Sequence, residues 1–266
     1  MYCRFYGFKK MPFSATSNPD FFFESDSHRE AYAAIEYGIS QRKGIILITG
    51  EVGTGKTTLC KKLLNRLDKS VKVSLVLNPY FSDMQLLQAI VQDFGISTDK
   101  KNRLEIIKTL NAFLIEQHAQ GGNAVLIIDE AQHLTARQLE QVRLLSNLET
   151  SDEKLLQLVL VGQPELIENL SLHRLRQIRQ RIFVKHKLLP LQQGEVREYI
   201  HVRLKDVGRE GPLIDDNCYP IIYEFSGGIP RLINMLCDRA LLMGYAREQS
   251  RLDETILQDS IKEISL

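Results

Sequence analysis

The stretch Gly44-Ile45-Ile46-Leu47-Ile48-Thr49-Gly50-Glu51-Val52-Gly53-Thr54-Gly55-Lys56-Thr57-Thr58 decides the fold. Its first six residues form a β-branched and aliphatic run. The next eight fit the pattern GxxxxGK[ST], and Leu59, Leu63, Leu64 and Leu67 then recur at helical spacing. A buried strand, a glycine turn and a helix, in that order, are the context in which this pattern carries meaning. Glycines let backbone N–H groups converge on phosphate oxygens without obstruction from a Cβ, and the new helix directs its positive dipole end at them. Gly50, Glu51, Val52, Gly53, Thr54 and Gly55 are therefore the expected cradle, Lys56 the point charge on the β/γ oxygens, Thr57 the hydroxyl on Mg²⁺, and Thr58 a further phosphate contact.

Working outward, four more apolar runs alternate with helical stretches: Val71 to Leu77, Ala124 to Ile128, Leu155 to Val161 and Phe183 to Leu188. Such alternation predicts a parallel sheet with helices on both faces. Ser82 with Gln85, and Thr135 with Gln138, read as capping boxes that open helices. The run Ala124 to Ile128 has no polar interruption, as expected of a central strand, and ends in Asp129-Glu130. Asp129 is the expected second anchor for the metal and Glu130 the carboxylate that polarises water. Gln163, at the end of the fourth run, is a polar amide aimed at the same region. After Pro190 only helical stretches follow, which puts the domain boundary there: 1–190 as the α/β domain, with 1–43 as an amino-terminal segment, and 191–266 as an all-helical domain.

Two basic features fall outside the cradle. Leu172 to Arg181 carries Arg174, Arg176, Arg179 and Arg181, and the rigid guanidinium fork suits phosphate recognition, including phosphate offered by a neighbouring subunit. In Gly227-Gly228-Ile229-Pro230-Arg231 a cation stands at a helix start, where the dipole disfavours it unless an anion is near. Whole-chain charge says less: 34 Lys plus Arg against 33 Asp plus Glu gives +1, no signature of a nucleic-acid or membrane-surface protein. Hydrophobic residues at 44% and charged residues at 25% are globular values, sufficient for a sizeable core. The four cysteines, Cys3, Cys60, Cys218 and Cys237, are scattered without metal-ligand spacing and read as reduced thiols. Phe21-Phe22-Phe23 reads as an aromatic plug for a core. No apolar run approaches the ~20 residues of a membrane span, and MYCRFYGFKK lacks the apolar core of a secretory signal. The expectation is a cytoplasmic chain without membrane insertion, or the cytoplasmic portion of an inner-membrane protein.

Taken together, the opening FYGFKKMPFSATSNPDFFFESDSHREA, the cradle GEVGTGKTT, VLIIDEAQHL, LVLVGQPEL, the arginine segment ending RQRI, and GGIPRLIN resemble the AAA+ ATPases of the general secretion pathway protein A group. The resemblance implies a P-loop NTPase αβα sandwich with a five-stranded parallel sheet and a small helical lid, holding ATP and Mg²⁺ at a junction between identical subunits. It implies that Lys56 and Thr57 belong to the Walker A motif, Asp129 and Glu130 to Walker B, Gln163 to the first sensor and Arg231 to the second. Arg181, with Arg179 as the alternative, corresponds to the arginine finger offered in trans. It also implies an ATPase that drives assembly of a type II secretion or related envelope system beside an inner-membrane partner. The transmembrane helix and periplasmic peptidoglycan-binding domain of longer members find no counterpart in these 266 residues. Two other readings share the core: a DNA-associated transposition-type (TniB-like) ATPase, and a nucleotide-gated scaffold with little intrinsic hydrolysis.

Overall fold

The computed structural model describes residues 1–14, 22–97 and 102–264. Five parallel strands form one sheet in the order β2-β3-β4-β1-β5, from β1 (Ile45–Gly50), β2 (Val71–Val76), β3 (Asn123–Ile128), β4 (Gln157–Gly162) and β5 (Ile182–Leu188). Burial follows the position of each strand. All of β1 and β4, and β3 from its second residue, are buried, whereas the edge strands β2 and β5 alternate between covered and exposed positions. Uninterrupted apolar runs mark strands covered on both faces, and alternation marks edges. The chain runs from β1 outward through α3 (Lys56–Arg66) to β2, returns through β3 and β4, and crosses to β5 on the far side of β1. Strand order therefore reverses between β1 and β4. At such a switch point the loops diverge and leave a crevice at the carboxyl ends of the strands.

Contacts divide the chain into two compact units. The first, His28–Glu51 with Lys56–Leu188, contains the whole sheet. One core cluster joins Leu47, Leu126 and Leu158 of the sheet to Leu86 and Ile90 of α4 (Asp83–Asp93), Ile106 and Leu110 of α5 (Arg103–Ala119), and Leu139 and Val142 of α6 (Ala136–Leu145). Both expected capping boxes are present. Ser82 accepts from the Gln85 N–H and Thr135 from the Gln138 N–H, and each glutamine reaches back to the cap backbone. A helix that the sequence reading passed over, α2 (Asp26–Ser40), buries Ala31, Ile35 and Ile39 at intervals of four. It lies close to the sheet at Gly38, where a Cβ would stand 2.5 Å from Ile46 Cδ1.

The second unit comprises Met1–Ser27, Val52–Gly55 and Leu189–Leu266. Its helices are α1 (Tyr2–Tyr6), α9 (Gln193–Asp206), α10 (Cys218–Ser226), α11 (Pro230–Ala246) and α12 (Glu254–Ile264). Between β4 and β5, in the sheet unit, the chain adds two short helices, α7 (Glu165–Ser171) and α8 (Arg176–Arg179). The carboxyl boundary falls at Leu188–Leu189, close to Pro190, but the amino end departs from the expected 1–190 division: residues 1–27 group with the carboxyl-terminal helices. The reason is aromatic burial. Tyr2, Tyr6, Phe8 and Phe13 share a core with Val196, Ile200, Leu236 and Ile256. The Tyr2 hydroxyl donates to Asp238, and the buried Arg203 donates to the carbonyls of Pro12 (2.8 Å) and Ser14 (3.2 Å). Phe23 packs edge-on against Tyr199, in keeping with its reading as a plug; Phe21 lies outside the described residues. Among the described residues, no helix is long and apolar enough to cross a membrane.

Gly228 has no room for a side chain. Its φ is +75°, and a Cβ there would collide with the Leu191 carbonyl. Gly228→Ala should lower stability by on the order of 3 kcal/mol, since backbone strain and a steric clash add. Thermal unfolding of the variant beside a Gly227→Ala control, where no atom lies within 4 Å of the added Cβ, isolates the clash.

Candidate functional site

The candidate site is assembled where β1, β3 and β4 end. Beyond Gly50 the loop bends through Gly53 (φ +85°) and Gly55 (φ +99°), left-handed conformations that favour glycine, and α3 begins at Lys56. Lys56 is buried, and its ammonium donates to the carbonyls of Gly50 (2.8 Å) and Glu51 (2.9 Å). Burial pulls its pKa down, and the charges of Glu130, Asp129, Glu51 and Glu165 oppose that shift. One residue on, the Thr57 hydroxyl donates to Asp129 Oδ2 at 2.5 Å. Thr54 is fully buried, Thr58 half-buried, and Glu51 and Val52 exposed.

Asp129 extends β3 by donating its N–H to the Val76 carbonyl. Its carboxylate, only 1% exposed, accepts from Thr57 and from the Glu130 N–H (2.9 Å). Burial outweighs both bonds and raises its pKa above the ordinary carboxylate value. Glu130 takes φ +53°, a left-handed backbone uncommon for a residue with a side chain, and starts a 3₁₀ turn at Ala131–His133. Its Oε2 accepts from Gln132 Nε2 (2.5 Å) and from Gln163 Nε2 (3.3 Å). Lys56, Thr57, Asp129, Glu130 and Gln163, drawn from 108 positions of sequence, thus meet through direct bonds and charge. Sequence reasoning missed Gln132; its only signal there is that it lies two residues beyond Glu130.

The remaining expected residues lie elsewhere. Arg231 is in the first turn of α11, directly after Pro230; its N–H meets the Gly53 carbonyl at 3.3 Å, and a Cβ on Gly53 would stand 2.6 Å from Arg231 Cβ. Arg181 precedes β5, at the amino end of the parallel sheet and so opposite the acids. There the Glu149 carboxyl is held below its usual pKa by its bond to Lys154 and, more weakly, by the charge of Arg181. Arg179 is exposed and donates to the Ser171 carbonyl at 3.3 Å. All four cysteines are free, and Cys60, fully buried on α3, has its thiol pKa pushed up by burial and by the nearby Asp129.

Residues 39–170 match the family described as an AAA domain. Solved structures with the same fold include the ORC2 protein of Aeropyrum pernix (TM-score 0.71, 18% identity, 96% of this chain and 72% of that one). They also include Cdc6p from Pyrobaculum aerophilum (TM-score 0.69, 15% identity, 92% and 71%) and the Thermotoga maritima RuvB Holliday junction branch migration motor (TM-score 0.58, 18% identity, 95% and 73%). At such identities the likeness speaks for the fold alone. Fold and domain match define the class: this is an AAA-type P-loop domain with a helical carboxyl-terminal region. Within that class the chain belongs to the family of general secretion pathway protein A, since it is 43% identical over 248 residues to that protein of Aeromonas hydrophila. The match covers 93% of this chain and 45% of the relative, so the chain spans under half of the relative's length.

The raised pKa of Asp129 has a thermodynamic consequence. Because the folded value lies above the unfolded one, folding loses stability as pH rises through the folded value, and the ionised group costs free energy at neutral pH. Asp129→Asn removes the ionisation and keeps an oxygen for Thr57, at the loss of the oxygen that accepts the Glu130 N–H. Relative to wild type, the variant should therefore have a higher Tm at pH 7 than at about pH 3.5, because only the wild type loses stability as its buried carboxyl ionises. Melts of both proteins at the two pH values test this.

Proposed function

We propose that this chain is an oligomerising, Mg²⁺-dependent ATPase that drives assembly of a secretion or related envelope system. The observation that carries the reading is the convergence of Lys56, Thr57, Asp129, Glu130 and Gln163 at the carboxyl ends of β1, β3 and β4. The donor set fits magnesium. One hydroxyl and one carboxylate, already 2.5 Å apart, leave the remaining coordination to water and phosphate, as this ion prefers. Among the described residues no cluster of three His, Cys, Asp or Glu side chains would capture a metal by itself.

In this reading Gly50 to Gly55 supply N–H donors to the phosphates, and Lys56 transfers its ammonium from two backbone carbonyls to the β/γ oxygens. Thr57 and Asp129 hold the metal, which when bound neutralises phosphate charge. Thr58 adds a phosphate contact. Glu130 accepts the proton of the attacking water, and Gln163 orients that water or the terminal phosphate. Arg231 brings a second cation to the nucleotide, and Arg181, or Arg179, serves a neighbour's nucleotide in trans. The functional division follows: a nucleotide-binding part up to about residue 190 and a lid beyond it, the lid carrying residues 1–27. Assembly with an inner-membrane secretion partner from the cytoplasmic face completes the proposal, supported by the family relationship.

Lys56→Ala should abolish nucleotide binding. Glu130→Gln should bind Mg-ATP with near wild-type affinity and lose about 100-fold or more in kcat. Calorimetry and steady-state phosphate release check both, and unimpaired turnover in the two variants would overturn the site. Specific activity should rise with protein concentration. Arg181→Ala subunits, catalytically dead as homo-oligomers, should regain turnover when mixed with Glu130→Gln subunits, because each supplies what the other lacks.

A second reading keeps the ATPase and moves its partner to DNA. It is motivated by Arg174, Arg176 and Arg179, all exposed, in a stretch from Asn169 to Gly194 that contains no acidic residue. Filter binding over a salt series decides it, since phosphate-driven affinity must fall steeply with salt.

A further inference from the structure

We infer that Gln132 is the positioning residue of this site: its amide fixes the Glu130 carboxylate relative to Gln163 and thereby sets the rate of the chemical step without contributing to nucleotide affinity. The inference rests on the reading of Glu130 as the group that accepts a proton from water.

Glu130 cannot hold its own orientation. It sits at φ +53° after the last residue of β3, and the chain beyond it turns at once into Ala131–His133. A glutamate side chain there has three rotatable bonds. What restrains it is one amide used at both ends. Gln132 Nε2 donates to Glu130 Oε2 at 2.5 Å, and Gln132 Oε1 accepts the Gln163 backbone N–H at 3.0 Å. The Gln163 side chain closes the loop by donating to the same Oε2 at 3.3 Å. Gln132 therefore ties the end of β3 to the end of β4 beyond the point where their ladder stops at Ile128 and Leu160.

The surroundings are shaped to this amide. A Cβ on Gly162 would stand 2.9 Å from both Gln132 Oε1 and Leu166 Cδ2, so glycine at the last position of β4 leaves the space that the amide occupies. From α7, Asn169 Nδ2 donates to the Gln132 carbonyl at 3.2 Å, fixing the backbone from which the side chain extends. Both donors fall on Oε2, and in the proposed reading Oε1 is the oxygen that takes the proton from water. Gln132 has no bond to Lys56, Thr57 or Asp129, so its removal should leave the cradle intact. Positioning of a general base to within a fraction of an ångström is worth orders of magnitude in rate.

The test uses Gln132→Met, which keeps bulk and loses both bonds, and Gln132→Glu, which keeps an acceptor for Gln163 and sets a second carboxylate against Glu130. Both should lower kcat by about 10-fold to 100-fold, with the calorimetric Kd for Mg-ATP within about twofold of wild type. A double-mutant cycle supplies the readout that a merely structural role would not give. In the Glu130→Gln background, Gln132→Met should cause no further loss, because the group it positions has already been disabled. Wild-type kcat in either variant overturns the inference. So does a parallel fall of kcat and affinity, or a multiplicative loss in the double variant, since each means that Gln132 merely supports the fold. If Glu130→Gln by itself turns over normally, the reading of Glu130 fails first, and the two failures are told apart in one experiment.

Discussion

The structure depends on keeping one ammonium and one carboxylate buried at the end of the sheet. Lys56 and Asp129 are both almost fully covered, and each has its pKa displaced by burial toward the neutral form. They stay in place because each compensates the other and because polar neighbours fill the remaining valences: two carbonyls on Lys56, a hydroxyl and an N–H on Asp129. Such an arrangement is costly in a protein interior and is retained where function requires it. The parallel sheet makes it possible. Its central strands are buried on both faces and stop together, so residues distant in sequence finish side by side.

Most of the fold was legible because its signals are local. Continuous apolar runs predicted the three central strands and more interrupted ones the two edges, all to within a few residues, and the two capping boxes fixed the starts of α4 and α6. The helices passed over were those with weak patterns. In α2 the core-facing residues Ala31, Ile35 and Ile39 are diluted by Gly38 and by polar residues, and α1 is too short to have a period. The placement of residues 1–27 was not legible at all. It depends on pairings such as Tyr2 with Asp238 and Arg203 with Pro12, between residues about 190 or more positions apart, and no local pattern encodes these.

The candidate site divides along the same line. Gly50 to Thr57 and Asp129-Glu130 could be read directly, because chemistry dictates both residue type and spacing. Gln163 was found through its place at a strand end, although its amide turns out to lie on Glu130. Gln132 escaped notice because a glutamine on a polar turn has no distinctive pattern; only the coordinates join its two ends to different strands. For Arg181 the sequence supplied a candidate, and the residue lies before β5, near Glu149 and at the opposite end of the sheet from Asp129 and Glu130.

The aromatic anchor of the amino terminus also bears on how the polypeptide is made. Tyr2, Tyr6, Phe8 and Phe13 leave the ribosome well over a hundred residues before the surfaces that cover them, on α9, α11 and α12. At about 5–20 residues per second these rings remain uncovered for roughly 10 to 50 seconds, while the sheet can already be forming behind them. The nascent chain thus carries uncovered aromatic rings while the whole sheet is being made. They are an obvious handle for chaperones, and one that disappears only when α9, α11 and α12 close over them.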